Sequence, residues 1–164
     1  RRRNSMYRLT WRVPFASIKL IEGSKGGGAR GDRGNKKRTI TYALIGNTKA
    51  EFLSLVQVRK IRFNEEDMRF LGNLKKISHD NLAAFIGLAF NDTKTFYIMT
   101  ALVERASLED FINDADFRMD ETFKSAFMRD ICRGVTYLHK SAVGYHGMLN
   151  LQTCLIDSNW VRTL

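Results

Sequence analysis

The sequence predicts an α+β fold in which strands and one helix come first and helices dominate later. Three observations carry this. Short apolar runs bounded by Gly, Asn and Asp recur through the first hundred residues, as strands and turns do. The stretch Asp120–Lys140 repeats Phe123, Phe127, Ile131, Val135 and Leu138 at helical spacing. The 164 residues are 44% hydrophobic with a single Pro, which allows a real core and excludes collagen-like and wholly disordered chains.

In order, Tyr7–Ile21 reads as an extended segment that ends in a short strand around Ile18, Leu20 and Ile21. Glu22–Lys37 is rich in Gly and Lys/Arg and is expected to be a loop. Thr39–Ile45 suits a strand, with a turn at Gly46-Asn47. Phe52–Ile61 suits another, centred on Leu55–Ile61. Glu65–Ile77 is expected to be helical. Met68, Leu71, Leu74 and Ile77 share its apolar face, Asn64 caps it, and Glu65, Glu66 and Asp67 suit the helix dipole. Ala83–Phe90 and Thr95–Thr100 read as strands about an Asn91-Asp92 turn. Ser107–Asp114 reads as a short helix capped by Ser107, and Asp120–Lys140 as the longest helix. Cys154–Asp157 and Trp160–Leu164 close the chain as two short strands.

Charge is unevenly spread. Residues 1–50 hold 13 of the 27 Lys/Arg and 2 of the 17 Asp/Glu, so the net +10 arises entirely there. A basic leading arm points to a nearby anionic surface, and a solvated loop is the plain alternative for Gly23–Arg38. Two cysteines, Cys132 and Cys154, make no disulfide framework. With His139 and His146 they fit no compact zinc spacing, so no metal is expected. No apolar run is long enough to span a membrane. No nucleic-acid module is present, so nucleic acid is not an expected partner.

His146-Gly147-Met148-Leu149-Asn150-Leu151-Gln152-Thr153 followed by Cys154-Leu155-Ile156-Asp157 has the frame of a protein-kinase catalytic loop, H-R-D-L-x-x-x-N plus an apolar strand. Met148 stands where the base Asp would be, and a thioether cannot accept a hydroxyl proton. Thr153 stands where the magnesium-binding Asn would be, and one hydroxyl is a poor Mg²⁺ ligand. Together with Trp11-Arg12-Val13, the basic insertion, the Leu74–Leu82 stretch, Tyr97–Thr100, Ser107–Ile112 and Tyr137-Leu138-His139, these residues resemble the kinase-homology domain of receptor guanylyl cyclases, nematode-type most of all. That family writes H-G-x-L where active kinases write H-R-D-L.

The resemblance implies a kinase-like fold: a small β-rich lobe and the first part of the helical large lobe, incomplete. It divides the chain into a basic juxtamembrane arm and strand (1–21), a flexible loop (22–38), a small lobe and hinge (39–104) and the start of a large lobe (105–164). Val56-Gln57-Val58-Arg59 aligns with V-A-V-K, which puts Arg59 in the place of the phosphate-pairing lysine; Lys60 serves only in a slipped register. Phe70 falls where the regulatory-helix glutamate belongs, with Glu66 one turn earlier as the alternative. Gly26–Gly31 fits G-x-G-x-x-G, a weak signal inside a glycine-rich loop.

These readings imply a regulatory pseudokinase segment of a single-pass plasma-membrane receptor whose whole makes cGMP from GTP. ATP is implied as an allosteric ligand, held by Arg59 and the hinge at Thr100, Ala101 and Val103 without transfer. Implied partners are a downstream dimerising helix and cyclase domain, a second copy in a homodimer, and anionic membrane near the basic arm. The alternatives are a divergent, weakly active protein kinase and a non-enzymatic interaction module.

Overall fold

The computed structural model describes residues 9–24, 39–103, 106–115, 118–157 and 160–163. The Gly26–Gly31 motif, the first eight residues, Glu104 and Leu164 lie outside them.

A five-stranded antiparallel sheet forms the first half, with β1 (Ile18–Ser24), β2 (Thr39–Ile45), β3 (Thr48–Val56), β4 (Phe85–Ala89) and β5 (Thr95–Ala101) in the order β1-β2-β3-β5-β4. The tight turn at Gly46, φ 59°, joins β2 to β3 and sets their register, so Ala43 faces Ala50. Both alanines are fully buried with Met99, Ala89, Tyr97, Val13 and Ile18 on one face of the sheet. Other sheet residues, Phe85, Leu88, Phe96 and Ile98, pack with Trp11, Phe63 and Phe90 and receive α1 (Glu65–Lys76) through Met68, Leu71 and Leu74.

α1 starts where the sequence says it should. The Asn64 side chain accepts from Asp67 N at 2.7 Å and Asp67 returns a bond to Asn64 N, a reciprocal capping box. At its other end Lys75 Nζ donates to the carbonyls of Ile86 (2.6 Å) and Phe85 (3.5 Å), where β4 bulges between Phe85 and Gly87. Burial of the Lys75 ammonium lowers its pKa.

The helical part holds α2 (Leu108–Ile112), capped by Ser107, and α3 (Glu121–Lys140), capped by Asp120. Leu108, Phe127, Cys154 and Ile156 form a second core against the hairpin of β6 (Cys154–Asp157) and β7 (Trp160–Thr163). Of the expected α3 stripe, Phe127 and Leu138 are buried, while Phe123 in the first turn is 37% exposed and lies with its ring centroid 6.3 Å from that of Phe127.

Two boundaries differ from the sequence reading. β1 continues through Glu22, Gly23 and Ser24, which pair with Thr41, Ile40 and Thr39, so these three residues expected in the loop belong to the strand. β3 spans Thr48–Val56 rather than Phe52–Ile61. Its pairing with β5 ends at Val56 opposite Thr95, and Gln57 then turns its side chain to Asn91. Val56 and Val58, apolar in pattern, are 83% and 90% exposed.

Candidate functional site

The residues 146–153 form the site with the clearest geometry. Gly147 has φ 82°, a left-handed conformation that a side chain disfavours, and a Cβ there would stand 3.5 Å from the Tyr145 ring. This is why a glycine suits the place where H-R-D-L has arginine. His146 Nδ1 accepts from Met148 N at 3.3 Å, which makes the imidazole neutral with its proton on Nε2. Nε2 is buried with no hydrogen-bond partner among the described residues. Burial also lowers the His146 pKa, in keeping with a neutral ring.

Asn150 and Thr153 close the loop on itself. Asn150 Oδ1 accepts from Gln152 N (2.8 Å) and Thr153 N (3.0 Å). The Thr153 hydroxyl accepts from Asn150 N at 3.0 Å and lies 3.0 Å from Met148 O and 3.1 Å from Asn150 O. The hydroxyl at the Mg²⁺-ligand position is thus engaged in holding the backbone. Met148 projects into solvent, 72% exposed, and brings no proton acceptor.

The phosphate side is also changed. Arg59 lies three residues past the end of β3 and is exposed, so the strand-borne place expected for it is not where it sits. Its carbonyl accepts from Gln57 Nε2 at 3.1 Å, within the turn that takes the chain out of the sheet. Ala50 is the small, fully buried residue of β3. Between Ala50 and Gln57 the sequence has no cation; Lys49, near the strand's start, lies over the Tyr42 ring at 5.7 Å.

Phe70 sits on α1 off the Met68–Leu71–Leu74 face and is 48% exposed. The Phe70 ring offers no carboxylate to pair with a strand cation. Thr100, half-buried on β5, pairs across to Glu51 and to Phe85. Ala101 N donates to Ala84 O (2.8 Å), Leu102 N to Lys49 O (3.1 Å), and Val103 is buried. The structure therefore brings Thr100, Ala101 and Val103 together at the end of β5, Met148 and Thr153 together in the loop, and leaves Arg59 and Phe70 apart from both. These residues do not fit a metal-bound triphosphate held for transfer, which needs a base, a metal ligand and a strand cation.

The family profile for protein tyrosine and serine/threonine kinase matches residues 54–163. The receptor-type guanylate cyclase gcy-10 of Caenorhabditis elegans is 45% identical over 181 aligned residues, taking in 100% of this chain. Receptor-type guanylate cyclase gcy-27 of the same organism is 48% identical, over 94% of the chain. Receptor-type guanylate cyclase daf-11, also from that nematode, is 29% identical over 94%. The chain spans 17% and 23% of the lengths of gcy-10 and gcy-27. Among the described residues no helix is long and apolar enough to cross a membrane. The chain belongs to the protein tyrosine and serine/threonine kinase family, as a kinase-like domain similar to that part of nematode receptor-type guanylate cyclases.

Proposed function

We propose that the chain is a regulatory pseudokinase segment on the cytoplasmic side of a membrane receptor that makes cGMP, and that it transfers no phosphate itself. One observation carries the reading: Thr153 spends its hydroxyl on the loop backbone beside a solvent-facing Met148. The likeness to receptor-type guanylate cyclases supports the rest. In this role the domain is a two-state element whose equilibrium the receptor biases, with a downstream helix and cyclase domain as partners and a second copy alongside. The basic arm suits anionic lipid at the membrane surface.

Adenine nucleotide, in this reading, is held by the hinge backbone near Thr100–Val103 and gains nothing from a β3 cation. ATP and adenosine are then expected to bind with affinities within about threefold of each other, because β3 offers the phosphates no fixed charge between Ala50 and Val56. Added Mg²⁺ is expected to change neither, and Arg59→Ala is expected to leave both unchanged. Calorimetric titration of the full-length gene product checks this, and strong Mg²⁺-dependent preference for ATP counts against it.

The deciding assay supplies the full-length gene product with Mg-GTP and, separately, with labelled Mg-ATP and a generic protein substrate. cGMP formation without phosphate transfer is the expected result. Phosphate transfer lost on changing Thr153 would make the chain an active kinase and end the proposal.

A further inference from the structure

Three consecutive residues of the β4–β5 turn, Phe90-Asn91-Asp92, together touch two parts of the chain that are far apart in sequence. One part is the leading segment 9–15. The other is the β3–α1 connection, 57–64. Phe90, 1% exposed, stacks on Trp11 at 6.1 Å and meets Phe63 edge-on at 5.1 Å, while Trp11 and Phe63 meet at 5.4 Å. Phe63 directly precedes Asn64, the cap of α1. The three rings therefore join the leading segment to the start of the helix.

Asn91 serves the connection alone. Its Oδ1 accepts from Gln57 Nε2 (2.7 Å) and Ile61 N (2.9 Å), its Nδ2 donates to Ile61 O (2.9 Å), and its own N–H donates to Gln57 Oε1 (2.9 Å). It does so at φ 64°, a conformation Asn tolerates better than most residues. Asp92 serves the leading segment alone. Its carboxylate accepts from Arg12 Nη2 (3.2 Å) and from Phe15 N (3.0 Å). Arg12 also lies over the Phe90 ring at 5.0 Å.

We infer that the Phe90-Asn91-Asp92 turn is a mechanical junction through which displacement of the leading segment moves the start of α1, and the reverse. The purpose of this junction rests on the relay reading above; its existence does not. Packed rings and paired side chains have discrete arrangements, so a shift on one side is passed on rather than absorbed. Coupling of this kind is reciprocal.

Hydrogen exchange on the detergent-purified full-length gene product tests it, because each side of the junction has a reporter amide that the other side's variant does not touch. Asp92→Ala removes only contacts to Arg12 and Phe15, and is expected to speed exchange at Ile61 and at Met68 in α1 by at least about fivefold, the low end for linked sites. Asn91→Gly keeps the left-handed backbone while removing the three side-chain bonds of the clamp, and is expected to speed exchange at Val13 and Phe15 to a similar degree. Should Asp92→Ala fail to fold, Arg12→Gln cuts the same ion pair and leaves the backbone bonds of the segment in place. Effects confined to the mutated side overturn the junction. cGMP formation by the same preparations is read separately: coupled exchange with cGMP output unchanged in both variants keeps the junction and counts against the relay reading alone.

Discussion

Gly147 shows how the backbone conformation at one residue limits which side chains a loop admits. At φ 82° a Cβ costs about 1–2 kcal/mol. Gly147→Ala is expected to lower the unfolding temperature by several degrees, and Gly147→Arg, which rebuilds the H-R-D-L spelling, by at least as much. A scan that finds either variant as stable as the parent removes the conformational argument. Restoring the other letters is also expected to fail. Met148→Asp with Thr153→Asn supplies a base and a metal ligand, yet β3 still has no inner cation, so phosphate transfer from labelled ATP should stay at background. Sequence alone shows that Met148 and Thr153 lack the needed chemistry. That Thr153 and Asn150 bond the loop to itself is a matter of distances that no motif states.

Among the elements, α1 was the most legible because its capping box and its apolar face lie within one turn-by-turn pattern, which local physics decides. β3 was the least legible. Leu55, Val56, Val58 and Ile61 look like strand residues, but the turn at Gly46 starts the strand at Thr48, and the Gln57–Asn91 pairing ends it, 34 residues apart in sequence. The misplacement, by four residues at the start and five at the end, put Arg59 on the strand, whereas it lies three residues past the end of β3. The leading segment is another element set by distant contacts. Trp11 O accepts from Leu88 N (2.8 Å) and Val13 N donates to Leu88 O (2.9 Å), an approach possible because Gly87 has no side chain. A Cβ on Gly87 would stand 2.3 Å from Trp11 O and 2.9 Å from Val13 Cγ2. Gly87→Ala is therefore expected to lift the segment and expose Trp11, now 1% accessible. In a Trp160→Phe background, where Trp11 alone reports, the emission should shift to the red. An unshifted spectrum means the backbone yields without releasing the segment.

At the scale of the whole molecule, order and spacing of elements identified the fold, because many loose matches in sequence constrain one another even where single residues do not. The global stability carries one more consequence of the altered loop. Burial holds the His146 ring neutral and its pKa below the usual 6.5, while the unfolded chain keeps the ordinary value. As the pH falls through 6.5 the unfolded state takes up a proton that the folded state refuses. Stability must then fall with pH until the folded-state pKa is reached, below which both states are protonated and the loss levels off. His146→Gln abolishes this site and leaves every other ionisable group common to both proteins, so the difference reports His146. The gap in unfolding temperature between parent and variant should be widest, in favour of the parent, near pH 7.5 and should shrink as the pH is lowered through 6.5 towards 5. A gap that stays constant across that range would mean that the ring is equally easy to protonate folded and unfolded, and that its buried Nε2 finds a partner able to carry the charge.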